Sequence, residues 1–299
     1  ILMSVLVIFA LWIIFTPSET QITKTETYVA TENTWVIEKL KNNEDVNLSG
    51  LDLSGLDLSG LDLSDKTLFG TVLQRTDLSN TKLIGADFSG ANLRNADLEN
   101  ADLTDAKIRN AYVYKTNLKN TKLENTDLTR SNFCGAALDK QRFNNSDFSY
   151  ADLSYTNLIG ADLKNANLAN ANLRGAVIHY TDLSGKDLSG IKLIDSNLLD
   201  VNFTNADLRN ADLRNADLRN ADLTNANLDG AFLLGAKLNP SNLKNTNLEF
   251  ADFDTPLEEI DLYHKSNEYD LTLNDLTGIN LHGVYLEGMD LSGKNLSGA

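Results

Sequence analysis

Histidine and cysteine, the side chains that most often carry out catalysis or bind transition metals, are rare and scattered in this sequence. The only cysteine is Cys134, and the three histidines are His179, His264 and His282. A catalytic or metal site needs a nucleophile, a base or several ligands that converge in one place. No two of these residues have the spacing of a metal motif, so we expect no metal, no cofactor and no disulfide bond within the chain.

Aspartate is abundant, but its spacing indicates a structural role. Asp or Asn recurs about once in every five residues, whereas catalytic carboxylates act as one specific pair in a pocket. Ser49, Ser54 and Ser59 likewise belong to a repeated Leu-Ser-Gly turn and are not isolated nucleophiles. We therefore expect a protein that is not an enzyme and has no small-molecule substrate.

A large apolar residue stands at every fifth position, without interruption, from Leu48 to Phe253. These 42 positions hold 33 Leu, six Phe, two Ile and one Val. A step of five residues turns by about 140° around an α-helix and reverses the face of a flat strand, so neither element would bury such a series. The chain must therefore turn once per repeat, so that each large side chain points to a common interior.

The two positions before each large residue follow rules of their own. Ala, Ser or Thr stands two residues earlier in 33 of the 42 repeats, and Asp or Asn lies between them in 30. A small residue beside a large one suits a narrow β interior, and Asp or Asn side chains bond to turn backbone. Lys66, Gln141 and Lys186 occupy the small position instead, and we expect local bulging or snorkelling there.

Residues 206–220 are three copies of Ala-Asp-Leu-Arg-Asn. They resemble the pentapeptide-repeat family, whose motif is A(D/N)LXX, and the same frame covers most of the chain. The resemblance implies an all-β fold, a right-handed quadrilateral β-helix with four repeats per coil. In that fold the central Leu or Phe and the small residue both point inward. With neighbouring backbones about 4.8 Å apart, ten coils would make a rod on the order of 50 Å long.

Residues 1–15, ILMSVLVIFALWIIF, carry no charge and a single polar side chain, Ser4. A membrane span needs about 20 apolar residues, and we expect this run to continue upstream of the first residue. Trp12 stands near one end, as interfacial aromatic residues do, and Pro17 follows as a stop. We predict a transmembrane segment at residues 1–17 that anchors the chain to a membrane. An uncleaved signal sequence and a buried helix are the alternatives.

The remaining segments follow from the frame of the repeat. Residues 18–33 are a polar linker, and residues 34–46 predict a short capping helix that covers the open edge of the first coil. The β-helix itself occupies residues 47–253. The frame breaks over residues 254–270 and restarts over residues 271–299, where we expect truncated repeats. The break is either a loop or short-helix insertion in one continuous β-helix, or the start of a second one.

The net charge of −16 disfavours a nucleic-acid partner, because neutralising phosphates requires Lys and Arg. We favour a non-catalytic, membrane-anchored scaffold that docks on a membrane-associated protein complex. The alternative resembles the DNA-mimicking pentapeptide proteins, which bind type II topoisomerases. A mimic needs unbroken acidic columns. Asp57, Asp77 and Asp97 align at intervals of twenty, but Asn117 and Ala137 come next in that column.

Sorting the outward positions by intervals of twenty gives one candidate protein-docking face. An exposed apolar patch is the usual mark of such a surface, although scattered apolar residues are normal on any protein. The apolar residues of this face, where most repeats carry polar residues, are Val72, Tyr112, Tyr114, Cys134, Ile194, Phe232 and Leu234. Arg94, Arg174 and Arg214 share it, and arginine is common at protein interfaces.

Overall fold

A computed structural model of the chain describes residues 34–42, 44, 46–238 and 243–252. The predictions for residues 1–17, 18–33, 254–270 and 271–299 lie outside these residues. Within the described ranges, no helix has both the length and the apolar character needed to cross a membrane.

The repeats form a solenoid in which the second residue of a repeat pairs through a β-bridge with the residue twenty positions later. We call these second residues bridge residues, and their places in the repeats bridge positions. The pairs are parallel β-bridges, such as Asp52 with Val72 and Val72 with Asn92, and they stay isolated, without forming longer strands over the described repeats. Each repeat contributes one bridge residue followed by a turn, so four repeats close one coil. The predicted all-β solenoid with four repeats per coil is confirmed.

We name the four walls of the coil after their bridge residues in the second coil. In chain order they are the Val72 wall, the Asp77 wall, the Lys82 wall and the Asp87 wall. Each wall runs through the residues that lie at multiples of twenty from its namesake. In a four-sided coil, the Val72 wall therefore lies opposite the Lys82 wall.

The large fifth residues fill the interior. Leu158 and Leu228 have no exposed surface, and five phenylalanines are among the fully buried side chains: Phe88, Phe133, Phe143, Phe148 and Phe203. Phe143 and Phe148 meet edge to face with their centroids 4.9 Å apart. Each buried Leu contributes roughly 1.5–3 kcal/mol of transfer free energy, so this stack is the main stabilising feature of the rod.

Turn geometry explains the polar consensus. The non-glycine residues with positive φ all end a repeat, and their φ values lie between 53° and 62°. Asn is the commonest of them, because its short polar side chain tolerates the left-handed region better than most. The bridge Asp or Asn bonds to the same turn, as where Asp77 Oδ1 accepts the Ser79 N–H at 2.8 Å. The backbone bonds predicted for these side chains are therefore present.

One helix, α1 (Thr34–Lys41), precedes the first coil. Val36 and Leu40 are buried and belong to the same apolar cluster as the leucines of the first coil. In that coil Leu51, Leu56 and Leu61 fill the small position, so the end of the stack offers a broader apolar surface than Ala would. This arrangement fits the predicted capping role.

The helix is shorter than the predicted 34–46. It ends at Lys41, and the Glu44 N–H donates to the Lys39 carbonyl at 2.9 Å, which turns the chain out of the helix. The run Asn42-Asn43-Glu44-Asp45 explains the early stop, since Asn and Asp favour turns over helix interiors.

Candidate protein-docking face

The bridges of the Val72 wall place the candidate residues on one side of the rod. Val72, Tyr112 and Phe232 occupy its bridge positions, in one unbroken column from Asp52 to Asp252. Tyr114, Ile194 and Leu234 follow the bridge position by two residues on the same wall. All six predicted docking residues therefore share this wall.

Exposure differs among these residues. Tyr112 is 47% exposed, Tyr114 37% and Phe232 36%. The side chains of Val72, Ile194 and Leu234 are half-buried, as is that of Cys134. The three aromatic rings therefore provide most of the apolar surface that a partner would meet.

The candidate residues do not form one continuous patch. Six bridge steps separate Tyr112 from Phe232, which at about 4.8 Å per step amounts to roughly 29 Å. The intervening bridge residues are polar or charged: Asn132, Asp152, Asn172, Lys192 and Asp212. The structure instead gives two clusters, Tyr112 with Tyr114 and Phe232 with Leu234. Spacing by multiples of twenty shows which residues share a wall, but it does not show how far apart they lie along the rod axis.

Each exposed ring on this wall has a cation beside it. The Arg94 guanidinium lies 5.1 Å from the centroid of Tyr112, and the Lys115 ammonium lies 5.1 Å from that of Tyr114. Arg214 lies 5.8 Å from the Phe232 ring. Cations at this distance from aromatic faces are attracted by the ring quadrupole. Each such contact favours a ring position against the wall by about 0.5–1 kcal/mol at an exposed site.

Two of the predicted arginines are also fixed by carboxylates. Arg214 donates from Nε to Asp212 Oδ1 at 2.7 Å, and this ion pair is the least exposed one in the described part of the chain. Arg174 Nη2 lies 3.2 Å from Asp195 Oδ2. These arginines have local structural partners on the wall, whatever a binding partner adds.

The acidic surface is partly neutralised by its own cations. On the Lys82 wall, Lys82 lies 3.5 Å from Asp62 and Lys122 lies 2.7 Å from Asp102. Burial raises the pKa of Asp102, but hydrogen bonds from Lys122 and Thr104 outweigh it and leave the pKa below its usual value. On the Asp77 wall the acidic column from Asp57 ends at Asn117, as the sequence indicates.

Searches against known protein families and solved structures decide the classification. The pentapeptide-repeat model matches in eight copies, over residues 71–110 and, in overlapping matches, residues 114–254. More than half of the sequence is covered. The chain belongs to the pentapeptide-repeat family.

Two solved structures are among those similar to this chain. HetL, a pentapeptide-repeat protein involved in heterocyst differentiation regulation in the cyanobacterium Nostoc, is 33% identical, with 70% of this chain and 89% of HetL covered and a TM-score of 0.38. QnrB1, a plasmid-mediated fluoroquinolone resistance protein, is 15% identical over 66% of this chain and 89% of its own, with a TM-score of 0.33. No curated protein matches the sequence.

Repeat-based reasoning missed four highly exposed aromatic residues at the repeat ends of this pentapeptide-repeat protein, as well as Phe69, which is 58% exposed and follows a bridge position by two residues. Tyr150, Tyr155, Tyr180 and Phe250 are 57–70% exposed and all end a repeat with positive φ. The signal was present in the sequence, because a bulky aromatic residue is unusual where Gly, Asn and Asp are the rule. Tyr155 lies directly over Gly175, where an added Cβ would stand 2.5 Å from the Tyr155 ring.

A stretch of the Asp77 wall without Asp, Glu, Lys or Arg side chains on its face was also missed. In three successive coils its bridge positions and the positions two residues later are Asn157, Ile159, Val177, His179, Asn197 and Leu199, and Asp200 stands at the corner. The His179 ring meets Tyr180 edge to face with centroids 6.0 Å apart. Tyr155 stands at the corner between this area and the Val72 wall, so the two surfaces adjoin.

No group of three or more His, Cys, Asp or Glu side chains within the described ranges could hold a metal ion. Many aspartates stand at bridge positions and bond to their own turns, as Asp77 does to the Ser79 N–H and Asp147 to the Ser149 N–H.

Proposed function

We propose that the rod is a non-catalytic scaffold that binds a protein partner through the Val72 wall. The observation that carries the proposal is the exposure of Tyr112 and Tyr114, 47% and 37%, at outward positions of a rigid wall. Tyrosine is enriched among residues that dominate binding energy, and a ring already held against the wall loses little conformational entropy on binding. Arg94, beside Tyr112, adds a second residue type that favours interfaces.

The same proposal includes attachment to a membrane through residues 1–15. Its support is the uncharged apolar sequence of that run, followed by the polar residues 18–33 as a tether. The partner would then lie in or beside the membrane. The full chain should pellet with membranes and resist carbonate extraction, and deletion of residues 1–17 should release it. Recovery of the full chain in the soluble fraction would contradict the membrane anchor but would leave the proposal that the Val72 wall binds a partner unaffected.

Mimicry of DNA is the less favoured alternative. The acidic column Asp57, Asp77 and Asp97 supports it, but the pairing of Lys82 and Lys122 with carboxylates on the adjoining wall breaks up the negative surface. A mimic would bind a type II topoisomerase and protect it from DNA. Binding of that kind by the full chain would favour the mimic over the scaffold.

The docking proposal is tested with two cluster variants. One replaces Tyr112 by Asn and Tyr114 by Ser, and the other replaces Phe232 by Asn and Leu234 by Ser. All four changes move toward residues common at outward positions, so folding should be retained. The tyrosine variant should lose most of the partner that co-purifies with the wild-type chain.

The matched control is Tyr180→Asn, which removes a ring that is 70% exposed at a corner off the Val72 wall. The control should recover the partner in wild-type yield. If the tyrosine cluster variant and the phenylalanine cluster variant both recover the same partner in the same yield, the Val72 wall is not the docking surface.

A further inference from the structure

The parallel ladder of the rod opens at two places. Past the end of the stack, where Asn47 and Thr67 are also unbridged, the missing bridges between described residues twenty apart are Asn117 with Ala137, Lys122 with Arg142, Asp162 with Asp182, and Asn167 with Asp187. These four missing bridges form two openings, each made of two missing bridges on neighbouring walls. The first opening lies on the Asp77 and Lys82 walls, and the second lies on the Lys82 and Asp87 walls. The Lys82 wall is therefore opened twice.

The second opening coincides with Lys186, a long side chain at the small inward position. Its ammonium Nζ donates to the Ala166 carbonyl at 2.6 Å. In an ordinary step of the ladder, the N–H of a bridge residue donates to the carbonyl 21 residues earlier. One coil later, the Asp207 N–H donates in this way to the Lys186 carbonyl at 2.8 Å. The lysine side chain has thus taken the acceptor that the Asp187 N–H would use. Burial lowers the pKa of this ammonium, in keeping with its inward path.

The first opening coincides with Gln141, a second oversized inward residue. Its Nε2 donates to the Leu118 carbonyl at 2.5 Å. In ordinary coils the short Thr hydroxyl makes this contact, as where Thr121 Oγ1 donates to the Leu98 carbonyl at 2.9 Å. The longer amide needs more room between the same two coils. Gln141 and Lys186 thus both coincide with missing bridges. Lys66, the third residue for which bulging or snorkelling was expected, is half-buried beside the unbridged pair of Asn47 and Thr67.

The opposite wall keeps all of its bridges, although its ladder bond from the Lys192 N–H to the Ala171 carbonyl is 3.4 Å long. Along the Val72 wall every bridge from Asp52 to Asp252 is present, including those level with the two openings, Tyr112 with Asn132 and Asn172 with Lys192. A stack that is spread on one side and tight on the other bends toward the tight side. Solenoids obtain their concave binding surfaces from small rotations of this kind between repeats.

We propose that Gln141 and Lys186 are built-in wedges that spread the Lys82 wall and curve the rod so that the Val72 wall is concave. The curvature follows from the position of the two side chains and holds whether or not the wall binds a partner. A concave Val72 wall turns Tyr114 and Ile194, which lie on either side of the bend, toward each other.

Spin-label distances test the curvature directly in the full chain with Cys134→Ser. One pair of labels, at Gln74→Cys and Ile194→Cys, spans both openings on the Val72 wall. The second pair, at Thr104→Cys and Thr224→Cys, spans them on the Lys82 wall. Adding Gln141→Ala and Lys186→Ala should lengthen the first distance, because the rod straightens, and shorten the second, because the ladder closes. Two distances that stay unchanged, or that change in the same direction, would overturn the proposal.

Amide hydrogen exchange provides an independent test of the wedge at Lys186. Ala is the residue at the equivalent positions 166, 206 and 226, so Lys186→Ala should fold normally. Peptides covering 161–170 and 180–190 should exchange at least roughly tenfold more slowly in this variant, because the closed ladder protects their amides. The control is Lys192→Ala, which removes an exposed lysine from the Val72 wall and should leave these rates unchanged. Wild-type exchange rates in Lys186→Ala would contradict the wedge.

Discussion

Arg94 lies over the ring of Tyr112 from the coil below, with its guanidinium carbon 5.1 Å from the ring centroid. The two residues are eighteen positions apart, so the contact joins successive coils across the face of the Val72 wall. It gives the wall a rigid aromatic surface that depends on no partner.

The first prediction concerns this contact. Arg94→Ala and Tyr112→Asn should each change the free energy of unfolding by less than about 1 kcal/mol, because an exposed cation–aromatic pair contributes about 0.5–1 kcal/mol. Urea denaturation of both single variants and the double variant gives the coupling energy. A coupling near zero would mean that the guanidinium does not hold the ring.

The second prediction tests the inward position. Leu158 has no exposed surface, so Leu158→Asp places a carboxylate in a dry interior and should cost more than about 3 kcal/mol or prevent folding. Asn95→Asp adds the same carboxylate at an exposed turn, where Arg75 and Lys115 stand at the equivalent turns of the coils before and after it. That control should shift stability by less than about 0.5 kcal/mol. Equal melting temperatures for the two variants would refute the inward assignment.

The third prediction tests the left-handed turn. Asn110 ends a repeat with φ of 53°. Asn110→Val forces a β-branched residue into that region and should destabilise the protein by about 1–2 kcal/mol, whereas Asn110→Gly should be nearly neutral. Thermal unfolding distinguishes the two. A valine variant as stable as the glycine variant would show that this turn does not need positive φ.

The fourth prediction concerns pH. The pKa of Asp182 lies below its usual value because of hydrogen bonds from the Ser184 side chain and backbone, and the Arg209 side chain similarly lowers the pKa of Asp207. A carboxyl whose pKa is lower in the folded state stabilises that state above the unfolded pKa of about 3.9, and the contribution is lost as the pH falls through the folded value.

The urea midpoint should therefore fall as the pH is lowered from 5 toward 2. Asp207→Asn should make that fall shallower, because one of the contributing carboxyls is gone. A midpoint that stays level or rises on acidification would count against this role of the aspartates.

The fivefold period was sufficient to predict the solenoid, because only a chain that turns once per repeat can bury Leu158 and its equivalents together. It also placed Tyr112 and Phe232 on one wall. It could not show that six coil steps separate them, since a column in sequence does not reveal length along the axis. The aromatic residues at turn ends, such as Tyr180, were missed because the docking face was chosen from bridge positions and the positions two residues after them, which leaves out the last position of each repeat.

The effect of Lys186 was predicted only as a local bulge. Which carbonyl its ammonium would take, and which wall would remain closed, depends on the path of a flexible four-carbon side chain between two coils. The end of α1 at Lys41 similarly depended on how the chain enters the first coil, and helix propensity alone does not fix that point.

Site-specific photo-crosslinking tests the central claim, that a protein partner docks on the Val72 wall, most directly. A photoreactive residue replaces Asn132, one bridge step from Tyr112 on that wall, and in a second chain it replaces Arg142 on the opposite wall. Both chains, otherwise unchanged, are irradiated in living cells, and the adducts are identified by mass spectrometry. We predict one recurrent protein adduct from position 132, absent from position 142 and lost when Tyr112→Asn and Tyr114→Ser are added. The same adduct from both positions, or its survival in the tyrosine variant, would contradict the claim.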